Sequence, residues 1–201
     1  MNRSHTQAKT NFIKEAITEA QGKPTLITIF FLSTFLLTVH GIYGEYVPPL
    51  LQLHGFGLST IAFLATIVFS AQAAGQYLSD SLTGMSYRKQ LSLVALGAAC
   101  LIPGTLSDTW LSVFFVSVFF FVFGLTGTLI ETHLQHSIEG DARATVTSII
   151  GVGDSLGAII WFLLFGLVAE YYSIIGATLA LSIVTLCLCL VANQYQFETK
   201  R

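Results

Sequence analysis

Charged residues are scarce in this chain. Asp, Glu, Lys and Arg make up 10% of its 201 residues, whereas ordinary soluble domains carry about 25%. Apolar residues make up 53%. This composition excludes a soluble globular protein, an intrinsically disordered chain and a nucleic-acid-binding protein.

Cysteine is also rare, and no spacing of Cys and His is typical of a metal site. The three cysteines are Cys100, Cys187 and Cys189, and we interpret them as small apolar packing residues. The tetrapeptide at 153–156, Gly-Asp-Ser-Leu, occurs around the nucleophile of soluble esterases, but here it lies inside an apolar run without a strand–turn context. We therefore expect no metal, no cofactor and no enzymatic activity.

The first 23 residues contain no apolar segment of the kind found in a secretory signal. Within them, residues 11–20 have apolar side chains at helical spacing and two Glu residues on the other side. This pattern predicts a short amphipathic helix on the cytoplasmic membrane surface, ended by the Gly-Lys-Pro at 22–24. We expect segment 1–23 to be cytoplasmic, 24–193 to form a membrane bundle and 194–201 to be a cytoplasmic tail.

Six apolar runs follow, each bounded by turn or charged residues, and we interpret them as membrane spans, for which roughly 20 residues is the usual length. They cover approximately Pro24–Leu51, Leu58–Leu82, Gln90–Thr105, Thr109–Thr132, Ala144–Val168 and Tyr172–Ala192. The fold class predicted from these runs is an all-α integral membrane protein with six transmembrane helices.

The basic residues support this count and give an orientation. With six spans, the N-terminus, the loops after spans 2 and 4 and the C-terminus share one side of the membrane. That side carries all nine Lys and Arg residues of the chain, namely Arg3, Lys9, Lys14, Lys23, Arg88, Lys89, Arg143, Lys200 and Arg201. Because cytoplasmic loops are enriched in Lys and Arg, both termini are predicted to be cytoplasmic.

Ionisable groups inside membrane spans are costly, so they mark candidate functional positions. Spans 1, 2, 4 and 5 carry polar groups in their apolar runs, while spans 3 and 6 carry no ionisable group there, so we expect spans 3 and 6 to face lipid. The candidates for a substrate or proton pathway are Asp154, Glu131, His40, Glu45, Gln72, Gln76 and Trp161.

Each of the four ionisable candidates has an alternative explanation. Asp154 lies near the predicted midplane among glycines and could exchange a proton or hold a cation, or be a protonated, hydrogen-bonded acid. Glu131 could be a gate or reach water at a helix end, and His40 could titrate near neutral pH or be a packed histidine. Glu45 could be an outer-gate carboxylate or a solvated one, and Pro48 and Pro49 are expected to bend or end the helix beside it.

Three sequence segments, in order, resemble the second half of a major facilitator superfamily transporter. The most specific is Gly75 to Asp80, followed by Gly84, Arg88 and Lys89, which is similar to the cytoplasmic loop motif of that family. The others are the segment 142–148, in which Arg143 and small residues open span 5, and the amphipathic segment before Pro24, which is similar to the linker between the two halves.

The resemblance implies that the chain is one six-helix half with a 3+3 repeat. It also implies secondary active transport of a small solute by alternating access, of which proton-coupled transport is one form. It implies that Asp80 and the basic residues of the loop lock one gating state. A single half would expose its polar face to lipid, so we expect a second half, as a homodimer or a separate chain. The alternative is a non-transporting membrane module, such as a sensor or assembly subunit, or an inactive remnant. We expect a multi-pass protein of a bacterial inner (plasma) membrane, with lipid and a small solute as partners.

Overall fold

A computed structural model describes residues 24–136 and 143–198 of the chain. These residues form six α-helices: α1 Pro24–Leu53, α2 Leu58–Ser79, α3 Tyr87–Leu106, α4 Trp110–His136, α5 Arg143–Tyr171 and α6 Ile174–Glu198. A short 3-10 turn, Asp80–Leu82, follows α2. No strand occurs within the described ranges. The predicted all-α fold and the positions of its six helices are confirmed, whereas the predicted helix at 11–20 lies outside the described residues.

Five helices of the described chain, α2 to α6, are long and apolar enough to cross a membrane. The first helix has 30 residues, and at about 1.5 Å of rise per residue it also has the length for a span. These helices fit a multi-pass membrane protein.

Packing centres on α4. It lies along α2 on one side and α3 on the other, and α3 in turn packs on α6. Helix α1 contacts α5 and α4, and more sparsely α2 and α6. The side chains with essentially no exposed surface include Phe119, Phe120, Ile42, Leu64, Leu91 and Leu101 of α1 to α4, and Phe165 of α5 and Cys189 of α6 belong to the same core.

The contacts between helices show their relative directions. Along α1 and α5, Thr34 lies beside Gly157 and Tyr46 lies beside Phe165, so the two helices run parallel. Along α2 and α4, Phe69 pairs with Phe120 and Gly75 approaches Leu125, so these two are parallel as well. This is the pattern expected when successive helices alternate in direction.

At Pro48 and Pro49 the expected alternatives were a bend or an end of the helix. The helix does not end there and continues to Leu53. The helix ends instead at Gly55, whose φ of 84° allows a Schellman turn, with hydrogen bonds from Phe56 N–H to the Leu51 carbonyl and from Gly55 N–H to the Gln52 carbonyl.

The structure also differs from the expectation that span 3, which is α3, faces lipid. Helix α3 buries glycines against α4, with Gly97 beside Val122 and Gly104 beside Val116, and so it is largely covered by protein. Helix α5 instead exposes a broad aliphatic surface: Val152, Leu156, Ile159, Ile160, Leu163 and Leu167. The sequence prediction counted ionisable groups, whereas close approach between membrane helices depends on small residues.

Candidate functional site

Helix α1 has two distinct sides in its C-terminal half. The covered side consists of residues that are at most 4% exposed: Val39, Ile42, Tyr43, Val47 and Leu50. The uncovered side consists of residues that are partly or fully exposed: Gly41, Gly44, Glu45, Pro48 and Gln52. The covered side holds α1 in the bundle, and the uncovered side leaves a carboxylate and two glycines open to the surroundings.

His40 lies between these two sides and packs on aromatic rings of α4. Its imidazole is stacked on Phe123, with ring centroids 4.4 Å apart and planes 7° apart. The ring of Phe120 approaches the imidazole edge at 5.2 Å. The Gln72 side chain, from α2, lies beside the imidazole. We call these four residues the His40 cluster.

One nitrogen of this imidazole is enclosed but unpaired. The Nε2 atom of His40 is buried and has no hydrogen-bond partner within the described chain. A neutral imidazole has one donor and one acceptor nitrogen, and an imidazolium has two donors. An enclosed ring nitrogen without a partner is costly, so this atom is a candidate for binding a proton or a ligand.

Glycines on α2 and α4 set the position of Gln72. A Cβ atom on Gly75 would collide with the Phe121 carbonyl oxygen, and one on Gly124 would collide with the Gln72 carbonyl oxygen. The two backbones are therefore in direct contact, and this contact places the Gln72 side chain next to α1. The sequence predicted Gly75 as part of a gating loop, but the structure buries it in this crossing, while Gln76 is exposed.

A polar bridge joins α1 to α6 beside the cluster. The Tyr43 hydroxyl donates to the Thr178 carbonyl at 2.7 Å and is 2.6 Å from the Ser182 hydroxyl. The same phenol ring packs on Phe119, with centroids 5.2 Å apart. This bridge was not predicted from the sequence.

Helix α5 meets α1 through small and aromatic residues. Trp161 packs edge-on against Phe35, with centroids 4.9 Å apart, and a Cβ atom on Gly157 would lie 3.2 Å from the Thr34 methyl group. Asp154 is three residues before Gly157 on α5, at the level of the N-terminal half of α1, and its side chain lies outside the described residues. The structure thus places Trp161 and position 154 on the helix that faces α1.

The structure spreads the predicted gating-loop residues over separate surroundings. Asp80 is exposed at the start of the 3-10 turn, and Gly84 and Lys89 are exposed too. The Arg88 Nε–H donates to the Asn193 side-chain oxygen on α6 at 3.4 Å. Asn193 also donates to the Ser92 hydroxyl at 3.1 Å.

Two further candidates lie near helix ends. Arg143 begins α5, and its side chain lies outside the described residues. Glu131 is exposed on α4, which continues to His136. Glu131 is not part of the His40 cluster.

Comparisons with models of protein families, with curated proteins and with solved structures find no match for this chain.

Proposed function

We propose that this chain is one six-helix half of a secondary active transporter of the major facilitator type. In this proposal it moves a small solute by alternating access together with a second half, either another copy or a separate chain. The observation that carries the proposal is the His40 cluster, which holds an unpaired imidazole nitrogen between α1, α2 and α4. Ionisable groups inside a span mark ion or substrate pathways.

The uncovered side of α1 supports a partner half. Glu45 and Gln52 are exposed there, and the exposed residues of α2 include Thr66, Ser70 and Gln76. Polar and charged side chains are costly to place against lipid, so a polar side of this kind is more stable against a water-filled pathway or another protein than against lipid. Both termini are proposed to be cytoplasmic, in a bacterial inner membrane, which would let two copies lie parallel.

Protons are the proposed coupling ion. Histidine changes charge near neutral pH, and His40 is the ionisable residue of the cluster. Asp154 is the second proposed proton carrier because α5, which bears it, packs against α1. No catalytic residue is assigned, because the proposed activity makes and breaks no covalent bond in the solute.

The proposal can be tested with the purified chain in liposomes that contain a pH-sensitive dye. Panels of sugars, amines and carboxylates are added outside, and solute-dependent proton movement is recorded. We expect movement with at least one solute, and we expect its loss in His40→Gln and Asp154→Asn. His54→Gln is the matched control, since His54 lies in the turn after α1, and it should keep the wild-type rate.

Proton movement at the wild-type rate in both pathway variants would contradict the assigned roles. If no solute of any panel causes the wild-type chain to move protons, that result would favour a non-transporting sensor, assembly subunit or remnant. The partner is tested by crosslinking in native membranes, where a strictly monomeric chain that still transports would contradict a two-half transporter.

A further inference from the structure

Tyr43 follows His40 by three residues on α1, and its phenol is anchored to another helix. Residues three apart are neighbours on one side of a helix. The Tyr43 hydroxyl donates to the Thr178 carbonyl at 2.7 Å, and the Ser182 hydroxyl lies 2.6 Å from the Tyr43 oxygen and 2.8 Å from the same carbonyl. Tyr43 and Ser182 are at most 3% exposed. The three oxygen atoms therefore form one buried cluster that joins α1 to α6.

The rings of His40 and Tyr43 pack on the same aromatic patch of α4. Tyr43 lies against Phe119, with centroids 5.2 Å apart. The imidazole of His40 lies against Phe123 at 4.4 Å and Phe120 at 5.2 Å. Phe119 is itself 5.9 Å from Phe123 and 5.4 Å from Phe120. A displacement of α1 that takes one of its two rings off this patch therefore also moves the other.

The hydroxyl cluster is thus linked to the enclosure of the imidazole. The Nε2 atom of His40 is buried without a partner in the described chain, so it meets a proton carrier or a solute only after the ring leaves its present contacts. Because α1 is one continuous helix through both residues, a rotation or shift of α1 that frees the imidazole also pulls the Tyr43 hydroxyl away from Thr178. We infer that Tyr43 is a positioning residue for His40: its bridge to α6 holds α1 where the imidazole nitrogen is enclosed, and breaking the bridge opens it.

This inference rests on the proposed role of His40 in transport, but its test requires no transport. Diethyl pyrocarbonate acylates a neutral imidazole nitrogen that it can reach, so its rate at His40 measures how often the ring leaves its enclosure. The reaction is followed by peptide mass spectrometry on the purified chain in detergent at fixed pH. A chain that moves no protons in liposomes can still have a His40 that Tyr43 controls, and a transporting chain can lack this control, so the two failures are distinguishable.

The first variant is Tyr43→Phe, whose ring can still pack on Phe119 but cannot bridge to α6. The loss of one hydrogen bond corresponds to a change of about two- to tenfold in an equilibrium, and we expect the rate at His40 to rise by that factor. His54, in the turn after α1, is the internal reference, and its rate should stay the same. A general loosening of the protein would raise both rates together.

The second variant is Ser182→Ala, which removes the other hydroxyl of the cluster and keeps the Thr178 carbonyl. We expect a smaller rise at His40, and this variant carries the test if Tyr43→Phe does not fold. Thr185→Val is the matched control, because it also removes a buried α6 hydroxyl, but one that donates at 2.8 Å to the Leu181 carbonyl of its own helix. It should leave the rate at His40 unchanged.

Three results would overturn the inference. The first is a rate at His40 in the folded bridge variants that equals the wild-type rate. The second is a rise in Thr185→Val as large as that in Tyr43→Phe, since the effect would then be a general loss of stability. The third is a wild-type His40 that reacts as fast as free histidine, since its imidazole would then not be enclosed.

Discussion

The imidazole of His40 lies parallel to the phenyl ring of Phe123, with a plane angle of 7° and a centroid distance of 4.4 Å. This stack joins the proposed proton-binding residue on α1 to the central helix α4. The other neighbour of the ring from α4, Phe120, is fully buried. The position of the imidazole is therefore set by α4, and movement of α1 against α4 would change its surroundings.

The stack should be measurable as a coupling energy. In a double-mutant cycle of His40→Leu and Phe123→Leu, we expect the two losses in free energy of unfolding to be non-additive by about 0.5–1.5 kcal/mol, the size found for aromatic pairs. Unfolding is followed by helical circular dichroism in mixed micelles. Phe114, which is 62% exposed on the same helix, supplies the control cycle with His40, and additivity is expected there. Equal coupling in both cycles would contradict a specific stack.

The α2–α4 crossing predicts that alanine is not tolerated at its two glycines. Gly75→Ala and Gly124→Ala each place a methyl group against backbone atoms of the other helix, which cannot move as a flexible side chain can. We expect each variant to lose about 1–3 kcal/mol of unfolding free energy, the range for overpacking, or more. The measurement is the denaturant midpoint of purified protein.

Gly166→Ala is the control for this pair, because a Cβ atom there meets nothing within 4 Å. It should be neutral or slightly stabilising, since alanine favours the helix over glycine. If Gly75→Ala were as stable as Gly166→Ala, the two helices could not be in backbone contact.

The hydroxyl of Tyr43 should contribute to the contact between α1 and α6. Tyr43→Phe removes its hydrogen bond to the Thr178 carbonyl, while the ring can still pack on Phe119. We expect a loss of about 0.5–1.5 kcal/mol in unfolding free energy. Tyr77→Phe alters a tyrosine that is 83% exposed on α2 and should cause no loss. Equal stability of Tyr43→Phe and the wild type would mean that the bridge is not formed.

The six helices could be predicted from the sequence because each is a separate apolar run bounded by polar or turn residues. Their ends were less predictable. Helix α3 begins at Tyr87, three residues before the predicted Gln90, and α4 continues beyond Thr132 to His136. Helical hydrogen bonding extends into polar sequence at the end of a span, so apolarity alone does not mark where a helix stops.

The contacts between helices could not be predicted in the same way. In a membrane protein the buried and lipid-facing sides are both apolar, so no polar stripe shows which side of a helix is covered. Gly124 and Phe123 lie in a continuous apolar run, and nothing in that run indicates that one meets α2 and the other His40. Gln72 and His40 were each predicted as pathway residues, but their proximity depends on the register of α2 against α4.

Thr34 provides a further test of how the α1–α5 contact is built. Two other buried threonine hydroxyls donate to the carbonyl four residues earlier: Thr185 to Leu181 at 2.8 Å and Thr126 to Val122 at 2.7 Å. The Thr34 hydroxyl, by contrast, is buried without a partner in the described residues. Thr34→Val replaces it with a methyl group of similar shape beside Gly157, so we expect unfolding free energy to stay unchanged or to rise.

Thr185→Val removes a hydroxyl that has a partner and should lower the unfolding free energy by about 0.5–1.5 kcal/mol. Both variants are compared with the wild type in the same denaturant titration. A loss in Thr34→Val as large as that in Thr185→Val would show that the Thr34 hydroxyl is satisfied in the folded protein. Because position 154 lies one turn from Gly157 on α5, the acid there would then be the first partner to test, by repeating the Thr34→Val substitution in an Asp154→Asn background.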